Sequence, residues 1–162
     1  KDPVSGGSEG EIRQQVETAR DIARDIDAVV DMVNTLEIVR GQAATIKASL
    51  GDDSTMADVR VRADSLDKAM RAVEELLVQL RVTGRGQDLV RYPFRLSEQL
   101  IYLGQSVTSS DFAPTEPQRQ VQAVLKEQLR QARARFDAVM AGDLEAFRQL
   151  LRARNVKNAL IS

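Results

Sequence analysis

Residues 12–50 read IRQQVETARDIARDIDAVVDMVNTLEIVRGQAATIKASL, a stretch with no proline and a single glycine, Gly41. Apolar residues recur in steps of four and three along its first half: Ile12, Val16, Ala19, Ala23, Ile26, Val30 and Val33. This spacing places them on one side of an amphipathic helix and leaves the charges on the other side. Ile22, Val29 and Leu36 widen the apolar stripe beyond a two-stranded seam, so we expect other helices of the same chain to cover it.

The stripe on this first helix changes register partway. Beyond Val33 the apolar residues form a line that is shifted by one residue and starts at Met32. Its members are Met32, Leu36, Val39, Ala43, Ile46 and Leu50. A slip of one residue predicts that the far half of the helix faces a different neighbour, with a bend near Gly41. If the helix is continuous, it is on the order of 60 Å long at about 1.5 Å per residue.

Two more helices follow, separated by glycine-containing connections. Residues 51–55 predict a turn, and helix two repeats the same spacing: Val59, Ala63, Leu66, Met70, Val73, Leu77 and Leu80. The short connection predicts an antiparallel hairpin of helices one and two. Residues 81–92 form a longer connection, after which Pro93 stands where a first helical turn tolerates proline. The buried line of helix three is Leu96, Leu100, Leu103 and Val107, with Phe94 and Tyr102 beside it.

The last two helices have recognisable starts. Pro114 and the capping-box spacing from Thr115 to Gln118 open helix four. Its apolar positions are Val121, Leu125, Leu129, Ala132, Phe136 and Val139. Gly142 then interrupts the pattern, and Asp143 is expected to cap a short fifth helix. The apolar residues of that helix are Leu144, Phe147, Leu150 and Leu151.

These patterns together predict an all-α fold. We expect an antiparallel up-down four-helix bundle with a very long first helix and a short fifth helix at the C-terminus. Residues 1–10 combine Pro, Gly and Ser as linkers do, and Ser8 stands three residues before Glu11 in a second capping box. We therefore assign 1–10 to a linker from an upstream domain, 11–154 to one bundle domain and 155–162 to a C-terminal tail.

Composition excludes several kinds of chemistry. The 162 residues are 43% hydrophobic but only 4% aromatic, and they include neither cysteine nor histidine. Disulfides, thiolate nucleophiles and the usual zinc ligands are therefore excluded, and we expect no cofactor and no metal site. Few aromatic rings argue against a nucleic-acid partner, and no apolar run is long enough for a membrane span.

Charge is divided unevenly along the chain. Up to residue 80 there are 16 acidic and 10 basic residues, and after it there are 8 acidic and 13 basic ones. Within one domain this division favours attraction between the halves over phosphate binding. The acidic ladder of helix one is Glu17, Asp21 and Asp25, and the basic line of helix four is Arg119, Lys126, Arg130 and Arg133. We expect the basic line to face water or that ladder.

The carboxylates form no catalytic arrangement. Glu74 and Glu75 are adjacent on a helix, point about 100° apart and are expected on the surface. Asp52 and Asp53 in a turn before a helix would satisfy backbone donors and the helix dipole. Arg95 lies between apolar neighbours, and if it is buried we expect it to pair with Asp88. From the residues alone, we predict no catalytic residue.

A family resemblance begins at residues 86–96, GQDLVRYPFRL. The chain resembles the C-terminal helical domain of bacterial sortilin-like, Asp-box (BNR) repeat proteins that are commonly labelled glycosyl hydrolases. The matching features are Gly86-Gln87-Asp88, Tyr92-Pro93, Phe94-Arg95-Leu96 and the run from Ser110 through Pro114 to Thr115. Asp143-Leu144 with Phe147 also fits the ending of the family.

The resemblance implies a larger parent protein with an upstream β-propeller, exported to the periplasm or the cell exterior. It implies a non-catalytic accessory or interaction domain whose partner is that propeller. Apart from the resemblance, we expect that a second copy can bind through helix one. Asp88, Pro93, Arg95, Pro114 and Thr115 are then structural residues. Without Trp the Asp-box of the propeller cannot be present here. An alternative is that the bundle completes the propeller's active cleft, and a third is a bundle that opens on a lipid surface.

Overall fold

The computed structural model describes residues 6–82, 84 and 91–156, and these residues form an all-α structure. The helices are α1 Glu9–Ser49, α2 Ala57–Leu77, α3 Leu96–Thr108, α4 Glu116–Val139 and α5 Glu145–Ala153. The described residues contain no β-strand. The predicted all-α class, with four helices, a very long first helix and a short C-terminal one, is confirmed.

Capping residues fix where two of these helices begin. The Ser8 backbone N–H donates to Glu11 Oε2 at 2.8 Å, and the Glu11 N–H donates to Ser8 Oγ at 3.2 Å. The same reciprocal pair joins Thr115 and Gln118 at the start of α4. Both capping boxes predicted from the sequence are therefore present, and each satisfies backbone donors that a helix start leaves unpaired.

One compact unit, unit 1, comprises the described residues within 1–31 and 77–131. Here α3 runs antiparallel to the first part of α1, because Gln15 contacts Val107 while Ile22 lies against Gly104. The start of α4 runs parallel to α1, since Gln122 contacts Asp21 while Lys126 contacts Asp25, one turn further along both helices. Unit 1 is thus built from three helical segments.

The second compact unit, unit 2, comprises residues 32–76 and the described residues of the C-terminal segment, 132–156. Here α2 returns antiparallel to the second part of α1, and Arg40 and Lys47 of α1 pair with Asp67 and Asp64 of α2. The turn between them includes Gly51 at a φ of 52°, a left-handed conformation that glycine adopts without strain. This arrangement confirms the predicted hairpin of the first two helices.

The C-terminal segment completes unit 2. It runs antiparallel to α2, since Arg62 contacts Asp143 and Arg154 contacts Asp58. Unit 2 therefore also packs three helical segments side by side. The extent of a single domain over 11–154 stays a prediction.

The buried line of α1 differs from the predicted one in its first half. Its most buried residues follow a seven-residue repeat: Gln15, Ile22, Val29, Leu36 and Ala43, with Met32, Val39 and Ile46 beside them. Ala23 is exposed and Val30 is 45% exposed, so the stripe predicted for the first half, and with it the slip, is wrong. The line predicted from Met32 to Ile46 is buried and is confirmed. The seam keeps one register throughout. It was hidden because the polar side chains of Gln15 and Asp25 occupy seam positions where the pattern requires apolar ones.

The chain does not break at Gly142 as predicted. Residues Met140–Leu144 form a π-helical turn that joins α4 to α5, and the Asp143 side chain does not cap α5. The buried and half-buried line explains the turn: Leu125, Leu129, Ala132, Phe136, Val139, Leu144, Phe147 and Leu151. Steps of four and three give way to one step of five between Val139 and Leu144, and a π turn accommodates the extra residue.

The predicted cores of α2 and α3 are confirmed with few changes. All four predicted residues of α3 are buried, as are the first six of α2. Leu80 lies beyond the end of α2 and is 39% exposed. Among the described residues, no helix has both the length and the hydropathy needed to cross a bilayer.

Candidate interaction site

A groove of about 580 Å³ runs between α3 and α4 in unit 1. Its floor contains the buried side chains of Leu103 and Leu125. The walls are exposed and mostly apolar: Phe94, Tyr102, Pro117, Val121 and Val124. Apolar side chains that line a concave surface form the kind of site that accepts an apolar partner.

No residue that lines the groove is charged. Beyond the apolar residues, the lining consists of Ser106 and the glutamines Gln99, Gln118, Gln120 and Gln128. Charged residues make up 29% of the chain, so a surface lined by twelve residues would ordinarily include about three of them. The groove is therefore distinguished both by its apolar walls and by its neutral rim.

The capping interactions hold the two helices that form the groove. The Arg95 backbone N–H donates to Glu98 Oε2 at 2.8 Å and so fixes the start of α3. At the other end of α3, the Gln118 amide donates to the carbonyl of Ser106 at 3.2 Å and to its Oγ at 3.0 Å. The Gln118 side-chain oxygen accepts from the Thr115 N–H at 2.8 Å, so one amide links the start of α4 to α3.

The structural residues predicted from the sequence lie at the ends of these helices. Pro93 precedes the first turn of α3, which begins at Leu96, and its carbonyl accepts from Gln79 Nε2 at 2.9 Å. Pro114 is buried, and its carbonyl accepts from the guanidinium of Arg119. A pair between Arg95 and Asp88 was predicted only if Arg95 is buried, and Arg95 is exposed. Asp88 lies outside the described residues.

One carboxylate expected on the surface is buried. Glu74 is only 2% exposed and contacts Arg40 across unit 2, while Glu75 is exposed as predicted. The Arg40 Nε also donates to Asp67 Oδ1 at 2.7 Å. Burial lowers the pKa of Arg40, but the hydrogen bond to Asp67 and the charge of Glu74 outweigh it and raise that pKa above its usual value. This pair holds α1 and α2 together with matched charges.

A second ion cluster joins α1 to α4 inside unit 1. Lys126 Nζ lies 2.9 Å from Asp21 Oδ2 and 3.0 Å from Asp25 Oδ2. The hydrogen bond from Lys126 is the largest cause that lowers the pKa of Asp21. Lys126 thus faces the acidic ladder as the sequence predicted. Arg119 and Arg130 instead pair within α4, with Glu116 and Glu127.

A second cavity, of about 550 Å³, lies between α1 and α2 in unit 2. Its three cations are already engaged: Arg40 with Asp67, Lys47 with Asp64, and Arg60 with backbone carbonyls of the turn. A ligand with negative charge would have to displace these partners. The charged groups of this cavity therefore serve to join the two helices, and the cavity is not a candidate site for an anionic ligand.

The exposed wall of the groove was not identified from the sequence. Val121, one of the apolar positions assigned to helix four, is 48% exposed, and Val124 is 57% exposed. A signal was present, because Pro117, Val121, Val124 and Gln128 follow each other in steps of four, three and four. This second seam on α4 lies beside the seam that packs into the core. The two differ in exposure, because the second seam faces the open groove.

Within the described residues, no group of three or more acidic side chains is placed to hold a metal ion. Comparisons with protein-family models, with curated proteins and with solved structures found no match to this chain. The resemblance to sortilin-like BNR-repeat proteins therefore stays a prediction.

Proposed function

We propose that this chain is a non-catalytic helical interaction domain whose docking surface is the groove between α3 and α4. The groove takes an uncharged, apolar face of another helix. In keeping with the resemblance, we propose that the domain serves as an accessory to a larger, exported BNR-repeat protein. The observation that supports a docking role is the combination of exposed apolar walls and a neutral rim in one concave surface.

The side chains of the groove favour a helical partner. Val121 and Val124 lie on one face of α4 and are about half exposed, while Phe94 is 39% and Tyr102 is 67% exposed. Two helices and the gap between them form a trough that accepts the apolar stripe of a third helix. Burial of each large apolar side chain contributes about 1.5–3 kcal/mol before the costs of association are subtracted.

A structural role for the charges that are paired between helices supports a non-catalytic function. Glu74 is held by Arg40, and Asp21 and Asp25 are held by Lys126. Carboxylates that are paired in this way hold neighbouring helices together, which is a structural task. Neither ion cluster lies in the lining of the groove.

Backbone hydrogen exchange tests the docking role. We expect slower amide exchange in α3 and in residues 116–131 when the chain is concentrated or mixed with the upstream part of its parent polypeptide. Amides of α2 serve as the internal control, because α2 contributes no residue to the groove. Exchange in α3 and α4 that stays the same under both conditions would refute docking through this surface.

A further inference from the structure

The groove between α3 and α4 is complementary to the exposed face of α4, which forms one of its walls. We propose that a second copy of this chain occupies it, so that two copies pair through α4 about a two-fold axis. The inference rests on the proposed docking function and names the partner for that same site. It places the dimer on α3 and α4 and not on helix one, the surface first predicted.

The neutral lining favours a self-association. A two-fold axis places the same surface of both copies face to face, so a surface whose charges share one sign would place like charges opposite each other. Here all twelve lining residues are uncharged. Four are glutamines, and a primary amide both donates and accepts hydrogen bonds, so it can pair with its own copy. A strongly acidic or basic partner would find no complementary charge in this lining.

The exposed side chains of α4 provide the surface that would enter the groove of the second copy. Pro117, Val121, Val124 and Gln128 form an outward seam with the four-three spacing of helices that pack side by side. The valines of this seam are exposed, and the space beside them is the groove. The protruding valines and the groove therefore lie on the same face of the protein. The seam of each copy can thus enter the groove of the other copy.

The size of the surface sets the expected affinity. Stable interfaces bury about 20–30 residues on each side, whereas twelve residues line this groove. We therefore expect a reversible dimer with a dissociation constant in the micromolar range, which implies a mixture of species at common laboratory concentrations.

Sedimentation velocity on the full chain tests the proposal. We expect the mass to rise from 17.9 kDa toward twice that value between about 1 and 500 μM. Val124→Glu places a charge on the seam and should weaken association by about tenfold or more. The matched control is Val30→Glu, the same substitution at a residue 45% exposed on α1, which should leave association unchanged.

A second measurement keeps the test independent of any change in folding. The chain has no cysteine, so Val124→Cys introduces a unique thiol, and a short bismaleimide should link two such copies. Val61→Cys, at a position 66% exposed on α2, is the control and should give little linked dimer at the same concentration. Circular dichroism shows whether each variant keeps its helices.

Three results would overturn the dimer. They are a single 17.9 kDa species at every concentration, association lost in Val30→Glu but kept in Val124→Glu, and equal linking at positions 61 and 124. If the chain stays monomeric while another polypeptide slows exchange in α3 and α4, the self-association is refuted and the docking function stands. If neither occurs, both proposals fail.

Discussion

Removing Arg40 should destabilise the protein more than removing its buried partner Glu74. Arg40→Met leaves the Glu74 carboxylate, which is 2% exposed, without its cation. Breaking a buried pair in this way typically costs about 3–5 kcal/mol. Glu74→Leu leaves a guanidinium that is 17% exposed and still bonded to Asp67 at 2.7 Å. We expect this variant to lose only about 1–2 kcal/mol, because the remaining charge keeps a partner and some water.

The double variant Arg40→Met with Glu74→Leu separates the cost of leaving a charge unpaired from the cost of changing the packing. Both replacements are apolar, so no buried charge is left unpaired, although Asp67, which is 45% exposed, loses its bond to Arg40. We expect a loss of about 0–1 kcal/mol. Its loss should be at least about 2 kcal/mol smaller than the sum of the two single losses. Such a difference identifies the ion pair itself as the source of the single-variant costs.

Urea unfolding followed by circular dichroism measures these free energies, with coincident probes as the check for two-state behaviour. Arg71→Met and Glu75→Leu are the matched controls, since both residues are exposed, and each should change stability by less than about 0.5 kcal/mol. A cost for Arg40→Met that is below about 1 kcal/mol, or below that of Glu74→Leu, would refute the reasoning.

Three further predictions concern other contacts. Gln15→Leu should lower the unfolding free energy by about 1–3 kcal/mol although it completes an apolar seam, because the Gln15 amide donates to the carbonyls of Val107 and Ser110 at 3.3 and 3.1 Å; a stabilised variant in urea unfolding would contradict this. Thr115→Ala should cost about 1 kcal/mol in the same assay by removing the cap of α4, whereas Thr45→Ala, at an exposed site within α1, should cost less. The Arg130 hydrogen bond, with help from Gln131, lowers the pKa of Glu127 to about 2, so Arg130→Gln should return that pKa toward 4.5 in an NMR titration. The lowered pKa means that the stabilisation by Glu127 is complete above pH 4.5 and is lost as the pH falls toward 2, and an unchanged pKa in the variant would exclude Arg130 as the cause.

Much of the fold could be predicted where seam positions are occupied by apolar residues. The spacing from Val59 to Leu77 and from Leu96 to Val107 identified buried side chains because each step lands on a residue that only the interior favours. The capping boxes were equally readable, since they depend on two side chains three residues apart.

The rest depends on partners that lie far away in sequence. Gln15 and Asp25 occupy the interior side of α1 because the Val107 carbonyl of α3 accepts a hydrogen bond from Gln15 and Lys126 forms an ion pair with Asp25. Glu74 is buried because Arg40 meets it from another helix. Periodicity treats each such residue as exposed, and only the tertiary contact reverses that assignment.

The candidate site was hidden for the opposite reason. Val121 and Val124 are apolar and lie at helical spacing, so they resemble core residues in the sequence. Whether an apolar seam faces the interior or a groove open to solvent is decided by the position of α3, and α3 is separated from α2 by a long connection. Spacing identifies a seam but not what covers it.

The π turn between α4 and α5 gives the chain a tolerance for changes in length. One residue fewer between Val139 and Leu144 would restore the four-residue step, and Leu144, Phe147 and Leu151 would keep their orientation in an unbroken α-helix. At this point the backbone, and not the hydrophobic core, absorbs the additional amino acid. A deletion that would rotate the rest of an ordinary helix by about 100° can therefore occur here while every core side chain stays in phase.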